Sequence, residues 1–261
     1  MQLQGKTVIV TGGGSGIGKA LAERFRQEDL RGLAIADIDG ERAAAVGREL
    51  RALGLQCDVS REGDIRRVIE QARAAYGEID LFCSNAGLIR IDPDRQNAAS
   101  APDEDFEHCW RVHVMAHVYA ARALLPGMIA RGSGYFLNTV SAAGLLHQIG
   151  SATYSTTKHA AMGFAESLAI THWNDGIRVS VLCPQAVRTD LYKPGPEAAA
   201  AASDGVLEPS EVATAAIAGI QDERFLILPH PQVSEYFRRK ANDYDRWIAG
   251  MTRYRRKFMQ A

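Results

Sequence analysis

Thr7-Val8-Ile9-Val10-Thr11-Gly12-Gly13-Gly14-Ser15-Gly16-Ile17-Gly18 is the stretch that decides the fold. Its first five residues are β-branched and read as a strand. The glycine cluster comes next, and a helical pattern over 18–28 follows it. Glycines permit positive φ and let backbone N–H groups approach an anion without side-chain obstruction. The helix behind them points its positive end at the same place. Any tight strand-to-helix turn can use glycine, so the cluster alone says little. Placed between a strand and a helix near the start of the chain, it reads as a cradle for a pyrophosphate.

Beyond this unit, apolar β-rich runs alternate with helical patterns. Strands are expected at 7–11, 33–37, 55–57, 81–84, 135–139, 179–183 and 225–228, with helices at 18–28, 41–53, 61–76, 105–130, 152–173 and 210–220. Most of the strand runs are continuously apolar, as in strands covered on both faces. The alternation predicts an α/β fold, a three-layer Rossmann arrangement in which a doubly wound parallel sheet of about seven strands carries helices on both faces. No linker or repeat divides the chain, so residues 1–261 are expected to form a single domain. Two segments depart from the pattern. Residues 189–208 hold Lys193-Pro194-Gly195-Pro196 and then alanines at 198–202 that can form a short helix, an excursion typical of a lid. Residues 233–258, rich in aromatics and arginine, read as a helix docked on a neighbouring surface.

The 261 residues are 46% hydrophobic and 23% charged, with a formal net charge of −1, which speaks against broad attraction to nucleic acid. No basic cluster with a long apolar run opens the chain, and no stretch reaches the ~20 apolar residues of a membrane span. Cys57, Cys83, Cys109 and Cys183 make no close pair, so neither a metal site nor a disulfide framework is expected. A cytoplasmic protein with a small-molecule substrate, and neither nucleic acid nor membrane as partner, is the expectation.

Asp37 ends the second apolar run, 19 residues after Gly18. A carboxylate there accepts from both hydroxyls of an adenosine ribose and repels a 2′-phosphate, while Ser15 and Ile38 supply no cation for one. NAD is therefore expected and NADP disfavoured. Asp37 can also simply start the turn Asp37-Ile38-Asp39-Gly40, which is compatible with that role. Asp58 and Val59 follow the third strand. Asn85-Ala86-Gly87 follows the fourth, where small residues admit a cofactor and the asparagine can pin the loop. Ser141 follows the fifth, and Tyr154 and Lys158 come 13 and 17 residues later on a helix. Their i, i+4 spacing puts phenol and ammonium on one face. Interconverting an alcohol and a ketone needs a group that takes and returns the hydroxyl proton. A tyrosine titrating near ~10 becomes suitable if nearby positive charge favours the phenolate. A Tyr-x-x-x-Lys pair alone is common; its weight comes from the cradle, the Asn-Ala-Gly turn and the serine ahead of it.

Together these motifs resemble the short-chain dehydrogenase/reductase family, in its single-domain branch of about 250 residues. The resemblance runs from Lys6 to about Leu228, through Gly12 to Gly18, Asp58-Val59, Asn85-Ala86-Gly87, Asn138-Thr139-Val140-Ser141, Tyr154-x-x-x-Lys158 and Pro184-Gln185-Ala186-Val187-Arg188-Thr189. It implies Ser141 and Tyr154 facing the substrate, Lys158 on the nicotinamide ribose, and Pro184, Val187 and Thr189 near the nicotinamide. It also implies a homotetramer or homodimer paired through the helices at 105–130 and 152–173. The chain departs from the family twice. The family usually has asparagine where this chain has His113, and that asparagine is thought to hold a water in a proton relay to the lysine. His113 can keep the relay and colour the pH profile by titrating near neutrality, or it can be a packed helix residue. Gln185 replaces a glycine, narrowing the site or giving the substrate a hydrogen-bond partner.

The substrate pocket is expected to be formed by Leu88, Ile89, the segment from Ala143 through His147 to Gln148, Gln185 and the lid. It is mostly apolar, which suits an apolar secondary alcohol or ketone. Two other readings stay open. One is a dehydrogenase of an anionic hydroxyacyl thioester, whose phosphates the basic C-terminal stretch grips. The other is a non-catalytic NAD-sensing protein.

Overall fold

The computed structural model describes residues 1–259. Seven strands, β1 (Thr7–Thr11), β2 (Gly32–Asp37), β3 (Leu53–Gln56), β4 (Leu81–Ser84), β5 (Gly134–Thr139), β6 (Ile177–Leu182) and β7 (Leu226–Ile227), form one parallel sheet in the order β3-β2-β1-β4-β5-β6-β7. Strand order reverses between β1 and β4, so the carboxyl ends of these two strands open a crevice beside the glycine cradle.

Alternate strand residues feed two cores. Ile9, Phe82, Phe136 and Val179 pack on one face with Ile65 and Val68 of α3 (Glu62–Tyr76), Leu124 of α5 (Ala116–Ala130), and Ala161 and Ala165 of α6 (Ala152–His172). Val8, Val10, Ile35, Leu81 and Leu137 face the other way, onto Leu21 and Phe25 of α1 (Gly16–Arg26) and Val212 and Ile217 of α8 (Pro209–Gln221). Val8, Ile9 and Val10 are wholly buried, which is why the strand sequences are apolar on both faces. All four cysteines are free and buried, and burial pushes the Cys57 and Cys183 thiols up to about 12, so they are poor nucleophiles.

The structure corrects the sequence reading in three places. The helix expected to Leu53 ends at Leu50 (α2, Gly40–Leu50), because Arg51 turns left-handed at φ 50° and ψ 48°. Gly54 then lets β3 run against α2, where any Cβ would lie 2.3 Å from the Ala43 carbonyl oxygen. The helix expected over 105–130 is α4 (Asp103–Trp110), a π-helical turn at Arg111–Met115, and α5. The C-terminal stretch is two helices, α9 (Gln232–Asn242) and α10 (Tyr244–Met259). Extended Asp243 (φ −153°, ψ 91°) breaks them apart, and its Oδ1 accepts the Arg246 N–H at 2.9 Å.

The segment 189–208, expected as a lid, is anchored at its base and along its short helix. The Leu207 N–H donates to the Ala186 carbonyl (3.1 Å) and the Arg188 N–H to that of Leu207 (2.9 Å), pinning its base. Its helix α7 (Pro196–Ala201) is held by an Arg95–Glu197 ion pair and by the Tyr254 hydroxyl on the Ala200 carbonyl (2.8 Å); the Tyr236 hydroxyl binds Asp204 (2.8 Å) just beyond it. The C-terminal helices thus brace the lid.

Candidate active site

The crevice holds one cavity of about 1840 Å³ that runs from the glycine cradle past Ser141, Tyr154 and Lys158 to the lid and α10. An ordinary single-ligand pocket measures ~300–1,000 Å³, so there is room for two ligands end to end.

At the cradle, Gly12 has φ 63°, and a Cβ on it would lie 2.8 Å from Ala86 Cα. A Cβ on Gly18 would come within 2.0 Å of the Gly12 carbonyl oxygen. Backbone packs on backbone here, so only glycine fits. Ser15 and Ile17 line the cavity, and Ser15, at the N-cap of α1, spends no side-chain hydrogen bond on the helix. Thr189 covers Gly16, its Cγ2 3.1 Å from where a Cβ would sit. The carboxylate of Asp37 accepts from the Gly14 N–H (2.9 Å) and from the Asp39 N–H (3.0 Å). It is therefore both a turn-former and a group with lone pairs left for a ligand. The structure adds a residue that sequence reasoning passed over. Arg42 lines the same end of the cavity, paired with Asp39 (3.2 Å) and Asp190 (3.1 Å). Asp58 and Val59 border the cavity too, Asp58 accepting from the Ser60 N–H (3.0 Å).

Asn85 pins its loop as expected. Its amide nitrogen donates to the Thr11 carbonyl (3.1 Å), and its carbonyl oxygen accepts from the Thr139 hydroxyl (3.0 Å). This ties together the ends of β1, β4 and β5. Gly87 faces Lys158, whose Nζ would lie 3.8 Å from a Cβ there.

Ser141 caps a 3-10 turn at Ala142–Gly144: its Oγ accepts the Ala143 N–H (3.0 Å) and donates to the Pro184 carbonyl (3.4 Å). Tyr154 sits in the first turn of α6, where Ser151 Oγ accepts its N–H (3.4 Å). Lys158, one turn on and only 3% exposed, donates to the Thr139 carbonyl (3.0 Å), with Nζ 5.5 Å from the centre of the Tyr154 ring. Burial brings the Lys158 ammonium down to about 8. Burial also raises the Tyr154 phenol, against the opposing hydrogen bond with Ser141. The lowering expected from nearby positive charge is therefore not a property of the protein alone, because desolvation of the phenolate is the largest cause and Ser141 the one that opposes it.

His113 lies in the π turn, fully buried and edge-on to the Tyr154 ring (centroids 5.5 Å apart, 87° between planes). Its Nε2 accepts the Leu88 N–H at 3.2 Å, so the neutral ring carries its proton on Nδ1, which donates to Thr157 Oγ1 at 2.8 Å. The Thr157 hydroxyl in turn donates to the Thr153 carbonyl (2.8 Å). Both ring nitrogens are committed, leaving the side chain no open site for a relay water. Burial, then the Lys158 charge, hold its pKa well below the usual histidine range, so it does not titrate near neutrality. His113 is a brace between the Asn-Ala-Gly loop and α6. Its partner Thr157, 44 residues away, is not readable from the sequence.

Ala143, His147, Gln148, Gln185, Leu88 and Ile89 all line the cavity. The Gln148 amide nitrogen is taken by the Ile149 carbonyl (3.1 Å) and, across the lid, by that of Glu197 (3.2 Å). The Gln185 side-chain oxygen is buried with no hydrogen-bond partner among the described residues, while its backbone N–H donates to His230 Nδ1 (3.2 Å).

Residues 6–199 match the family model described as short chain dehydrogenase. The chain belongs to the short-chain dehydrogenase/reductase family. Among similar short-chain dehydrogenases is the 1-deoxy-11-beta-hydroxypentalenate dehydrogenase of Streptomyces exfoliatus, 31% identical over 95% of this chain and 92% of its own length. Another is the 3beta-hydroxysteroid dehydrogenase 2 of Eggerthella lenta, 30% identical over 72% of this chain and 74% of its own. A solved short-chain dehydrogenase/reductase from Burkholderia phymatum, in complex with NAD, superposes with a TM-score of 0.82 at 27% identity, covering 94% of this chain and 96% of that one. The family consists of oxidoreductases that bind nicotinamide cofactors and act on small molecules. Among the described residues no helix is long and apolar enough to cross a membrane.

Proposed function

We propose that the protein is an NAD-dependent dehydrogenase interconverting an apolar secondary alcohol and its ketone. The observation that carries this reading is the meeting of Ser141, Tyr154 and Lys158 in the one cavity that also holds the glycine cradle and Asp37. The cradle fits a dinucleotide, since Gly12, Ser15, Ile17 and Gly18 line the cavity where α1 presents its N-terminus. The free lone pairs of Asp37 fit ribose hydroxyls and oppose a 2′-phosphate. Asp58 and Val59 would flank the adenine, Ser15 to Gly18 the pyrophosphate, and Asn85, Ala86, Gly87, Lys158, Pro184, Val187 and Thr189 the nicotinamide riboside. When bound, the cofactor supplies the acceptor or donor of the hydride.

The protein's own part is the proton. Ser141 orients the substrate oxygen by hydrogen bond. Tyr154 takes the hydroxyl proton during oxidation and returns it during reduction. A phenol raised by burial is protonated at neutral pH, so the proton a ketone needs is in place, and positive charge brought into the cleft favours the phenolate left after donation in reduction and formed in oxidation. Lys158, fixed by the Thr139 carbonyl, supplies part of that charge and a donor to ribose hydroxyls. The walls at Leu88, Ile89, Ala143 and the lid are apolar, and the similar proteins named above act on a hydroxypentalenate and a hydroxysteroid. The test is NADH formation across a panel of cyclic and acyclic secondary alcohols, with NADP as control. Turnover with NAD on apolar members is expected. Tight NAD binding without turnover on any of them would instead point to the sensing role.

A further inference from the structure

Helix α10 borders the far end of the cavity with two adjacent stripes. Trp247, Met251 and Tyr254 form an aromatic and apolar one, and Arg246, Gly250 and Arg253 lie beside it. The two arginines are seven positions apart, two turns or ~10.5 Å along the axis, and the Arg253 guanidinium leans over Gly250 between them, its Nη2 3.9 Å from where a Cβ would sit. Both guanidinium groups are exposed, and neither has an ion pair or side-chain hydrogen bond among the described residues. The other arginines around the cavity are engaged: Arg42 by Asp39 and Asp190, Arg90 by Asp105, Arg95 by Glu197, and Arg239 by Glu235. Of the nearby carboxylates, two are engaged and Asp204 is engaged through one oxygen only, its Oδ2 being buried without a partner among the described residues. Glu197 holds Arg95, Asp204 accepts from Tyr236, and Asp243 caps α10. Two unpaired cations thus flank an apolar wall at the end of the cavity away from the cradle.

We propose that the substrate is an elongated apolar alcohol carrying an anionic group remote from its reacting carbon, held by Arg246 and Arg253 while its body lies on Trp247, Met251 and Tyr254. This rests on the dehydrogenase reading above and adds the class of substrate. Guanidinium forks suit carboxylate and phosphate alike. The test therefore compares three probes: lithocholate, a rigid hydroxysteroid with a carboxylate at its far end; its uncharged methyl ester; and a hydroxyacyl-coenzyme A thioester, which carries phosphates.

Turnover is measured with the intact enzyme and the Arg246→Gln/Arg253→Gln variant. Each exposed pair contributes on the order of 0.2–1 kcal/mol. The acid-over-ester ratio of kcat/KM is therefore expected to be roughly tenfold in the wild type, expressed in KM, and to fall toward one in the variant and in high salt. If the thioester shows the arginine dependence and lithocholate does not, the anion is a phosphate. Absence of arginine dependence both in the acid-over-ester ratio and with the thioester overturns the proposal while leaving the dehydrogenase intact. If no probe is turned over, titration by tryptophan fluorescence in the presence of NAD decides the binding site on its own. Weaker binding of the acid by the variant supports the site, and unchanged binding refutes it.

Discussion

Replacing Lys240 with methionine keeps the length of a buried side chain and removes its charge. Lys240 is 6% exposed, and its Nζ donates to the Leu145 carbonyl (2.7 Å), the Leu146 carbonyl (3.1 Å) and His159 Nε2 (3.3 Å), with the rings of Trp247 and Tyr244 centred 5.0 and 5.4 Å away. It is the pin between the C-terminal helices and the segment that follows the Ser141 turn. Hydrogen bonds from a charged donor contribute ~1.5–3 kcal/mol each, and relief of the buried charge offsets part of their loss. The net destabilisation is about 2–4 kcal/mol. In a domain of this size each kcal/mol moves Tm by ~2–4 °C, so a fall of roughly 5–15 °C is expected by calorimetry. Because α10 forms one wall of the cavity, KM for apolar substrates should rise more than kcat falls. His159 donates from Nδ1 to the Ser155 carbonyl (2.8 Å), so its Nε2 is the acceptor that Lys240 needs. Burial, then the Lys240 charge, keep this histidine below its usual range, which suits that role. A variant that melts within about 1 °C of wild type with unchanged KM would refute the pinning role.

The adenosine end and the buried histidines give two further tests. Asp37→Ser should raise the NADP-over-NAD ratio of kcat/KM at least about tenfold, ~1.4 kcal/mol, by removing repulsion; Arg42→Ala added to it should cancel the gain, and an unmoved ratio in Asp37→Ser would remove Asp37 from cofactor choice. His113 and His117, 0% and 3% exposed, have pKa values lowered first by burial, His117 to about 3. Their unfolded values lie higher, near ~6.5, so the stability of the neutral buried rings is fully present above that pH. It is lost as pH falls from there toward the folded values, by ~1.4 kcal/mol per unit for each ring. Between pH 6.5 and 5.5, above most of the carboxylate range, the urea midpoint should fall, and a flat midpoint would show that the rings are not buried neutral.

The alternation of strands and helices, the glycine turn, the Asn-Ala-Gly pin and the placing of Tyr154 and Lys158 on one helix face were legible because each depends on local chemistry: runs of β-branched residues, glycines at a strand-to-helix turn, and helical spacing. What was not legible depends on distant contacts or on backbone choices without a residue signature. Arg51 ends a helix in a left-handed conformation that usually calls for glycine or asparagine. Nothing in Arg111-Val112-His113-Val114-Met115 announces a π turn, and His113 becomes a brace only through Leu88 and Thr157. Arg42 reaches the adenosine end because α2 follows β2 so closely. Asp243, by contrast, was a missed cue, since an N-cap aspartate inside a helical stretch marks a second helix start.

The central claim is that Tyr154 handles the proton in an alcohol–ketone interconversion. It is tested most directly by NADH formation from a secondary alcohol by the wild type beside Tyr154→Phe, with NAD binding measured on both. Phenylalanine keeps the ring against His113 and removes only the hydroxyl. The prediction is near-wild-type NAD affinity with turnover reduced by roughly 10²–10⁴. A variant that binds NAD and turns over within tenfold of wild type would contradict it and place the proton on another group.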